Sequence, residues 1–243
     1  MKFVSFIFIL IIIKSCSTND TIKIATSANM HGVIAEMIGE FNKQNNVKID
    51  IVSGASGLLS SQIELGAPYD IFVSANVKYP EHLSKTIIGA GKPEVYALGQ
   101  LVLVSNTIQP SINILKTDKV KTIGIPNPKT APYGLHCIEV LKNYQIYEKV
   151  KSKLVYGESV GQVNSFIYSG AVDIGITAIS SVRGIGKSPF NWVGINKNKY
   201  STISQSAILL NPKNKDVKQF YDFLFSDKGQ EILRHSGFLP KPK

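Results

Sequence analysis

Hydrophobic and polar residues follow one another along the chain with two different periods. Short apolar runs such as IKIAT (22–26) and KIDIV (48–52) have the composition of β-strands. Between such runs, segments such as MHGVIAEMIGEFNKQ (30–44) repeat apolar residues every three or four positions, as amphipathic helices do. The run QLVLVSN (100–106) has the apolar composition of a strand buried on both faces. This alternation with short loops predicts an α/β architecture with parallel sheets.

The number of strand–helix units suggests how the chain is divided. There are too many units for one doubly wound sheet, and two lobes fit better. We expect crossovers near residues 99–101 and 204–207. They divide the chain into one lobe of residues 21–99 and 207–243 and a second lobe of residues 100–206. In open α/β sheets, ligands bind beyond the carboxyl ends of the strands, so the loops at those ends are candidate site elements.

The N-terminus has the pattern of an export signal. Lys2 precedes residues 3–13, which are almost wholly apolar and too few to span a bilayer as a helix. The following Ile13-Lys14-Ser15-Cys16 resembles a bacterial lipobox. We therefore expect a signal peptide over residues 1–15, lipid on Cys16 and a polar tether over residues 16–20. Lys14 departs from the usual small residue, and ordinary signal cleavage with secretion is the alternative.

The cysteines agree with an exported chain that has no disulfide framework. With lipid on Cys16, only Cys137 remains as a thiol. Cys137 falls within an amphipathic pattern that predicts one long helix over YGLHCIEVLKNYQIYEKV (133–150). A buried structural thiol is therefore expected.

The net charge of +10 raises the question of a nucleic-acid partner. Loss of residues 1–15 removes Lys2 and Lys14, which leaves about +8. The remaining lysines are scattered singly, and no zinc-finger or RNA-binding signature accompanies them. Together with export, this distribution favours a solvated surface, and we expect no nucleic-acid partner.

The candidate chemistry lies in four strand-to-helix connections. Each supplies small residues, hydroxyls or free backbone N–H groups where a helix begins, and a helix N-terminus binds anions without a charged side chain. Plain N-capping is the alternative for any one of them, but four together favour an anion site. Lys129 and Glu158 stand only at their edges. The connections are SAN (27–29), SGASG (53–57), NPKTAPYGL (127–135) and SVG (159–161).

Other site chemistries match the sequence poorly. GASGLLSS (54–61) lacks the lysine of a Walker phosphate loop, and SGASG does not match a dinucleotide fingerprint. Ser56 resembles a nucleophile elbow without its final glycine, and no partnered histidine accompanies it. A serine hydrolase using Ser56 is thus a remote alternative, and we expect no enzyme. Surface or capping roles are expected for the four histidines, with His31 of interest because it closely follows Asn29: His31, His82, His136 and His235.

Over residues 21–240 the chain resembles the periplasmic molybdate-binding proteins of ABC transporters, within the type II periplasmic-binding fold. The resemblance implies two lobes joined by two crossover hinges, with the ligand cleft between them. It implies an ABC permease and its ATPase as partners, a monomer, no cofactor, and a location in the periplasm or at the outer face of the cell membrane. It rests on GASGLLSSQIELGAPYDIFVSAN, NPKTAPYGL, ESVGQ, SGAVDIGITA and DFLFSDKGQEILRHSGF.

The same resemblance implies a set of ligand-binding residues. In that family, neutral hydrogen bonds from serines and backbone amides hold a tetrahedral oxyanion, so no residue binds the metal directly. Many members carry a ligand-contacting tyrosine where this chain has Ala178, whereas a subset carries an aromatic residue at the position of Tyr133, and we expect that role to have moved there. The implied residues are Ser27 or the Ala28-Asn29 pair, the Ser56 hydroxyl and amide, and the amides of Tyr133 and Val160.

The donor chemistry of such a site bears on the choice of anion. A site that offers donors only favours a fully ionised anion, because hydrogen phosphate would bring a donor without a partner. Sulfate would have to be excluded by the size of the cavity. The resemblance implies capture of molybdate together with tungstate, with selectivity for tungstate alone, sulfate or another tetrahedral oxyanion as the alternative.

Overall fold

The computed structural model describes residues 21–183 and 190–241. The expected signal peptide (1–15), the lipidation site Cys16 and the tether (16–20) lie outside these residues. Within them, every helix is too short or too polar to cross a bilayer.

Residues 21–183 and 190–241 form two five-stranded sheets with helices packed against them. The strand order is β2-β1-β3-β10-β4 in the first sheet and β7-β6-β8-β5-β9 in the second. The strands are β1 Ile22–Ser27, β2 Ile49–Gly54, β3 Ile71–Ser74, β4 Glu94–Gly99, β5 Leu101–Ser105, β6 Ile123–Pro126, β7 Leu154–Gly157, β8 Ile174–Ala178, β9 Asn191–Gly194 and β10 Ile203–Leu209.

Helices follow most of the strands. Short 3-10 turns also occur, one of which, Ala28–Met30, joins β1 to the first helix. The α-helices are α1 His31–Phe41, α2 Ser56–Glu64, α3 Lys78–Thr86, α4 Pro132–Asn143, α5 Tyr147–Val150, α6 Val160–Ser169, α7 Ser180–Arg183, α8 Lys215–Phe225 and α9 Asp227–His235.

The α/β class is confirmed, but the expectation of parallel sheets is wrong, because both sheets are mixed. In the first sheet β10 runs antiparallel to β3 and β4. In the second, β5 runs antiparallel to β8 and β9. The antiparallel strand in each sheet, β5 in the second and β10 in the first, is the first strand after the chain crosses over from the other sheet.

The strand β10 corrects the expected position of the second crossover. It lies in the first sheet along its whole length, and Ile203 already pairs with Gly99 of β4. The chain therefore returns to the first sheet between Gly194 and Ile203, and the boundary expected at residues 206/207 divides a continuous strand. We call the first sheet and its helices the first lobe, and the second sheet and its helices the second lobe.

The long helix expected over residues 133–150 is interrupted. Gln145 has a φ of 57°, in the left-handed region, so the chain cannot continue as a helix there. The result is α4, a turn and the short α5. On α4, Cys137 is completely buried, and burial raises the pKa of its thiol, which confirms the expected structural cysteine.

Each lobe has its own hydrophobic core. In the first lobe, Phe41 of α1 makes edge-on contacts with the rings of Phe220 and Phe223 of α8. In the second, residues of α4 such as Val140 and Leu141 pack with strand residues such as Ile125 and Ile176. The two cores fix the strand ends within each lobe and so position the loops that follow them.

We predict that Gly134→Ala destabilises the protein by about 1–3 kcal/mol. Gly134 lies in the first turn of α4, and a β-carbon there would overlap the Pro126 carbonyl oxygen and come within 2.8 Å of the Asn127 carbonyl carbon. The measurement is the free energy of unfolding in urea.

The matched control is Gly32→Ala in the first turn of α1. A β-carbon there would meet no atom within 4 Å. This variant should gain about 0.4–1 kcal/mol, because alanine reduces the freedom of the unfolded chain. Equal effects of the two substitutions would refute the close approach of α4 to the end of β6.

Candidate functional site

The four predicted connections surround one cavity. β1 and β2 run parallel, as do β6 and β7, so in each lobe two strands end at the same edge and a helical segment begins there. A small cavity lies between these edges. All six predicted ligand-binding residues line it: Ser27, Ala28, Asn29, Ser56, Tyr133 and Val160.

The first connection contributes two buried polar side chains. Ser27 ends β1, and Asn29 lies in the 3-10 turn before α1; their exposed fractions are 2% and 3%. Ser27 Oγ and Asn29 Oδ1 have no hydrogen-bond partner of ordinary geometry among the described residues. Most buried polar atoms have a partner. Thr26 Oγ1 and Ser181 Oγ, outside the cavity lining, also lack one, but within the described part of the chain only Ser27 and Asn29 offer such atoms on residues that line the cavity.

The second connection presents Ser56, the first residue of α2. Ser56 Oγ accepts a hydrogen bond from the Ala75 amide at 3.1 Å, which leaves its own proton free to donate. Its backbone amide has no partner within the helix, because the first N–H groups of a helix never do. The residue is 1% exposed, so both donors are shielded from bulk water.

The second lobe closes the cavity with the starts of α4 and α6. Pro132 is the first residue of α4 and has no N–H, so the Tyr133 amide is the first donor of that helix. Val160 is the first residue of α6. Ser159 also lines the cavity, and its Oγ accepts from the Gln162 amide at 3.3 Å.

Plain N-capping explains only one of the four connections. Ser159 caps α6 with its side chain. Ser27, Ala55 and Ala131 occupy the corresponding positions before the 3-10 turn, α2 and α4, and none of them makes a side-chain capping bond. Three helix starts therefore keep their backbone donors available to a ligand.

Several hydrogen bonds join the lobes beside the cavity, and two of them involve backbone groups. The Gly57 amide of the first lobe donates to the Thr130 carbonyl of the second at 3.0 Å. Ser180 Oγ of the second lobe donates to the Asn29 carbonyl of the first at 3.0 Å. A β-carbon at Gly57 would lie 2.8 Å from the Thr130 oxygen, so a side chain there would push the lobes apart.

The cavity carries no formal charge on its described wall. None of the twelve described residues that line it is acidic, basic or a histidine. Lys129 and Glu158, at the edges of the connections, are exposed and are not among the lining residues. Burial raises the pKa of Tyr133 well above its ordinary value, although the hydrogen bond from Gln205 opposes the rise. The phenol is therefore neutral, and the field in the cavity comes from helix N-termini and aligned N–H groups.

The remaining candidates lie elsewhere. His31 is the exposed first residue of α1 and does not line the cavity. His82 contacts Glu64 and His136 contacts Glu139, in both cases outside the cavity. Ala178 is buried in the second core, whereas Tyr133 lines the cavity. Across the described residues, His, Cys, Asp and Glu form no cluster of three suited to a metal ion.

The sequence patterns missed a layer of polar residues behind the cavity. Gln205 of β10 and Tyr96 of β4 are both fully buried, and Gln205 bonds to two of the lining residues, Asn29 and Tyr133. Burial raises the pKa of Tyr96 well above its ordinary value, the Tyr133 phenol adds to the rise, and the Ser27 hydroxyl opposes it. The sequence feature that could have indicated this layer is Gln205 itself, a glutamine in the middle of a run that is otherwise suited to a buried strand.

Comparison with known proteins relates this architecture to extracellular binding proteins. Residues 22–239 match the family of bacterial extracellular solute-binding proteins. A molybdate-binding protein of Azotobacter vinelandii is 34% identical over 89% of this chain and 89% of its own length. A putative ABC transporter substrate-binding lipoprotein of Bacillus subtilis is 27% identical over 97% of this chain and 96% of its own length.

The solved structures agree with these matches. The periplasmic molybdate-binding protein of Azotobacter vinelandii superposes with a TM-score of 0.83 and 31% identity. The match covers 91% of this chain and all of that one. The resemblance to molybdate-binding proteins and the two-lobed periplasmic-binding fold are thereby confirmed.

Proposed function

The chain belongs to the family of bacterial extracellular solute-binding proteins, and on that basis we propose that it captures molybdate, and tungstate with it, and delivers the anion to an ABC transporter. The observation that carries the proposal is the cavity between the two lobes, whose described lining is uncharged and offers hydrogen-bond donors. The relatives named for molybdate binding, which align along most of the chain, support the choice of anion.

The physical chemistry of the cavity supports a dianion. Burying a charged group is costly unless hydrogen bonds replace its water, and bonds to a charged partner contribute about 1.5–3 kcal/mol each. The Ser27 and Ser56 hydroxyls and the amides of Ser56, Tyr133 and Val160 come from both lobes, so a tetrahedral anion would receive donors on several sides. Such an anion needs no cofactor and no direct ligand to its metal.

Delivery requires the lobes to open and close. The chain passes between them through Gln100 and through residues 195–202, and rotation about these connections is the hinge motion expected of a binding protein. We propose that a monomer closes on the anion and that the permease with its ATPase recognises the closed form.

The same observations bear on two other candidate functions. Binding of tungstate alone, sulfate or another tetrahedral oxyanion uses the same donors and differs only in the fit to the cavity. A serine hydrolase needs a base beside Ser56, and the described lining of the cavity offers neither a histidine nor a carboxylate. The contact that the Ser56 hydroxyl does make, with the Ala75 amide, suits a ligand donor.

We predict that molybdate and tungstate bind the mature domain and raise its melting temperature, because a ligand that binds only the folded state stabilises it. Calorimetric titration with molybdate, tungstate, sulfate and phosphate measures this directly. If sulfate or phosphate released heat and neither molybdate nor tungstate did, the proposed anion would be excluded. The chain would still be a binding protein, for a different anion.

We predict that Ser56→Ala weakens anion binding about 10- to 100-fold, the cost of one hydrogen bond to a charged group. The dissociation constant is measured by calorimetry. The matched control is Ser61→Ala on the same helix, where the exposed hydroxyl donates to the Gly57 carbonyl, and it should leave the constant unchanged. Equal constants for wild type and Ser56→Ala would remove Ser56 from the site.

We propose further that Cys16 carries a lipid anchor, which the lipobox-like sequence before it supports. In a bacterial host the full chain should partition into the detergent phase of a cloud-point extraction, and Cys16→Ser should move it to the aqueous phase. Cys137→Ser, which removes a buried thiol, is the control and should stay with the detergent. A wild-type chain found in the aqueous phase would instead indicate ordinary cleavage and secretion.

A further inference from the structure

A buried hydrogen-bond network connects the cavity to β10, the strand that follows the second connection between the lobes. Gln205 is its centre and is completely buried. Its Oε1 accepts from Asn29 Nδ2 at 3.0 Å and from the Tyr96 hydroxyl at 3.0 Å. Its Nε2 donates to the Tyr133 hydroxyl at 2.8 Å. Asn29 and Tyr96 belong to the first lobe and Tyr133 to the second, so one amide links both sides of the cavity.

With the side-chain amides of Asn29 and Gln205 oriented in this way, some donors and acceptors of the network have no partner. Asn29 Oδ1 is a buried acceptor that has no donor among the described residues. The Tyr133 hydroxyl accepts from Gln205, and its own proton meets no acceptor within the described part of the chain. The single proton of Tyr96 faces two acceptors, Gln205 Oε1 and the Ser74 carbonyl at 3.2 Å. Each buried group without a partner carries a desolvation cost.

Rotation of the side-chain amides of Asn29 and Gln205 by 180° gives the two tyrosine hydroxyls and the Gln205 amide acceptors for their protons, and it leaves the distances between the paired atoms unchanged. The Tyr133 hydroxyl then donates to Gln205 Oε1, and Gln205 Nε2 donates one proton to Asn29 Oδ1 and the other to the Tyr96 oxygen. The Tyr96 proton is left for the Ser74 carbonyl, which already lies within reach. Asn29 Nδ2 takes the place of the oxygen that had no partner, on a residue that lines the cavity.

The proposed function gives a reason for this second orientation. An acceptor oxygen beside a bound oxyanion repels it, whereas an N–H donor attracts it. We propose that Gln205 is a positioning residue, which holds the Asn29 amide with Nδ2 directed at the bound anion. This inference rests on the proposed binding of an oxyanion and adds a residue that does not touch the anion itself.

The network also couples the anion to lobe closure. The Tyr133 hydroxyl and Ser180 Oγ reach the Gln205–Asn29 pair from the second lobe, so the arrangement is complete only when the lobes are closed. A β-carbon at Gly99, where β4 leads into the second lobe, would overlap the Tyr133 hydroxyl. Loss of Gln205 should therefore appear mainly as faster dissociation of the anion.

The first test is a double-mutant cycle on the mature chain with molybdate as the probe. Gln205→Met keeps the length of the side chain and removes its hydrogen bonds; we expect the dissociation constant to rise about 10- to 100-fold, as it should for Asn29→Ala. Because Gln205 acts through Asn29, the double variant should bind no more weakly than the weaker single variant. Gln219→Met, on the exposed face of α8, is the control and should bind as wild type.

A fully additive cycle, or a Gln205→Met variant with the wild-type constant, would overturn the proposal. A second readout needs no substitution at Gln205. In protein labelled with ¹⁵N-asparagine, molybdate should shift the side-chain NH₂ resonances of Asn29, assigned by their loss in Asn29→Ala, and slow their exchange with solvent. If backbone resonances report binding while this NH₂ pair is unchanged, the inference fails and the proposed function stands. If the wild-type spectrum does not respond to molybdate or tungstate at all, both fail.

Discussion

The structure depends on one constraint, the placing of a buried anion in a cavity whose described wall has no positive side chain. The fold meets this constraint by directing backbone N–H groups at one place. Parallel strand pairs in each lobe end at one edge, and helical segments that start there turn their unpaired N–H groups toward the same small cavity. Small residues such as Ala28, Gly54 and Ala75 let the backbone come close to that space. None of the lysines within residues 21–183 and 190–241 lines the cavity.

Closure is the second requirement, because donors from one lobe cannot surround an anion. The contacts across the cleft are neutral hydrogen bonds: Gly57 to Thr130, Ser180 to Asn29 and Gln205 to Tyr133. Neutral bonds of this kind contribute about 1 kcal/mol each, so the closed form can be favoured without becoming irreversible. That balance suits a protein that must release its ligand to a transporter.

The wall of the cavity could be predicted from the sequence because its residues are local. Ser56 and Val160 each follow a strand and begin a helix, and Tyr133 lies in the first turn of one. The apolar period and the small residues therefore predicted the connections, and the family resemblance supplied the individual residues. The layer behind the wall was not predictable in this way. Gln205 is 176 residues from Asn29 and 72 from Tyr133 along the chain, and no local pattern reports such pairs. The break at Gln145 was missed because a left-handed residue other than glycine leaves no clear sequence signal.

Anomalous diffraction at the molybdenum edge, from crystals of the mature domain grown with molybdate, tests whether neutral donors alone hold the anion. We expect one strong peak inside the cavity, surrounded only by neutral donors from both lobes, among them the Ser56 hydroxyl and the amides of Tyr133 and Val160. A peak outside the cavity, or an anion held by a lysine, arginine or histidine side chain, would contradict it.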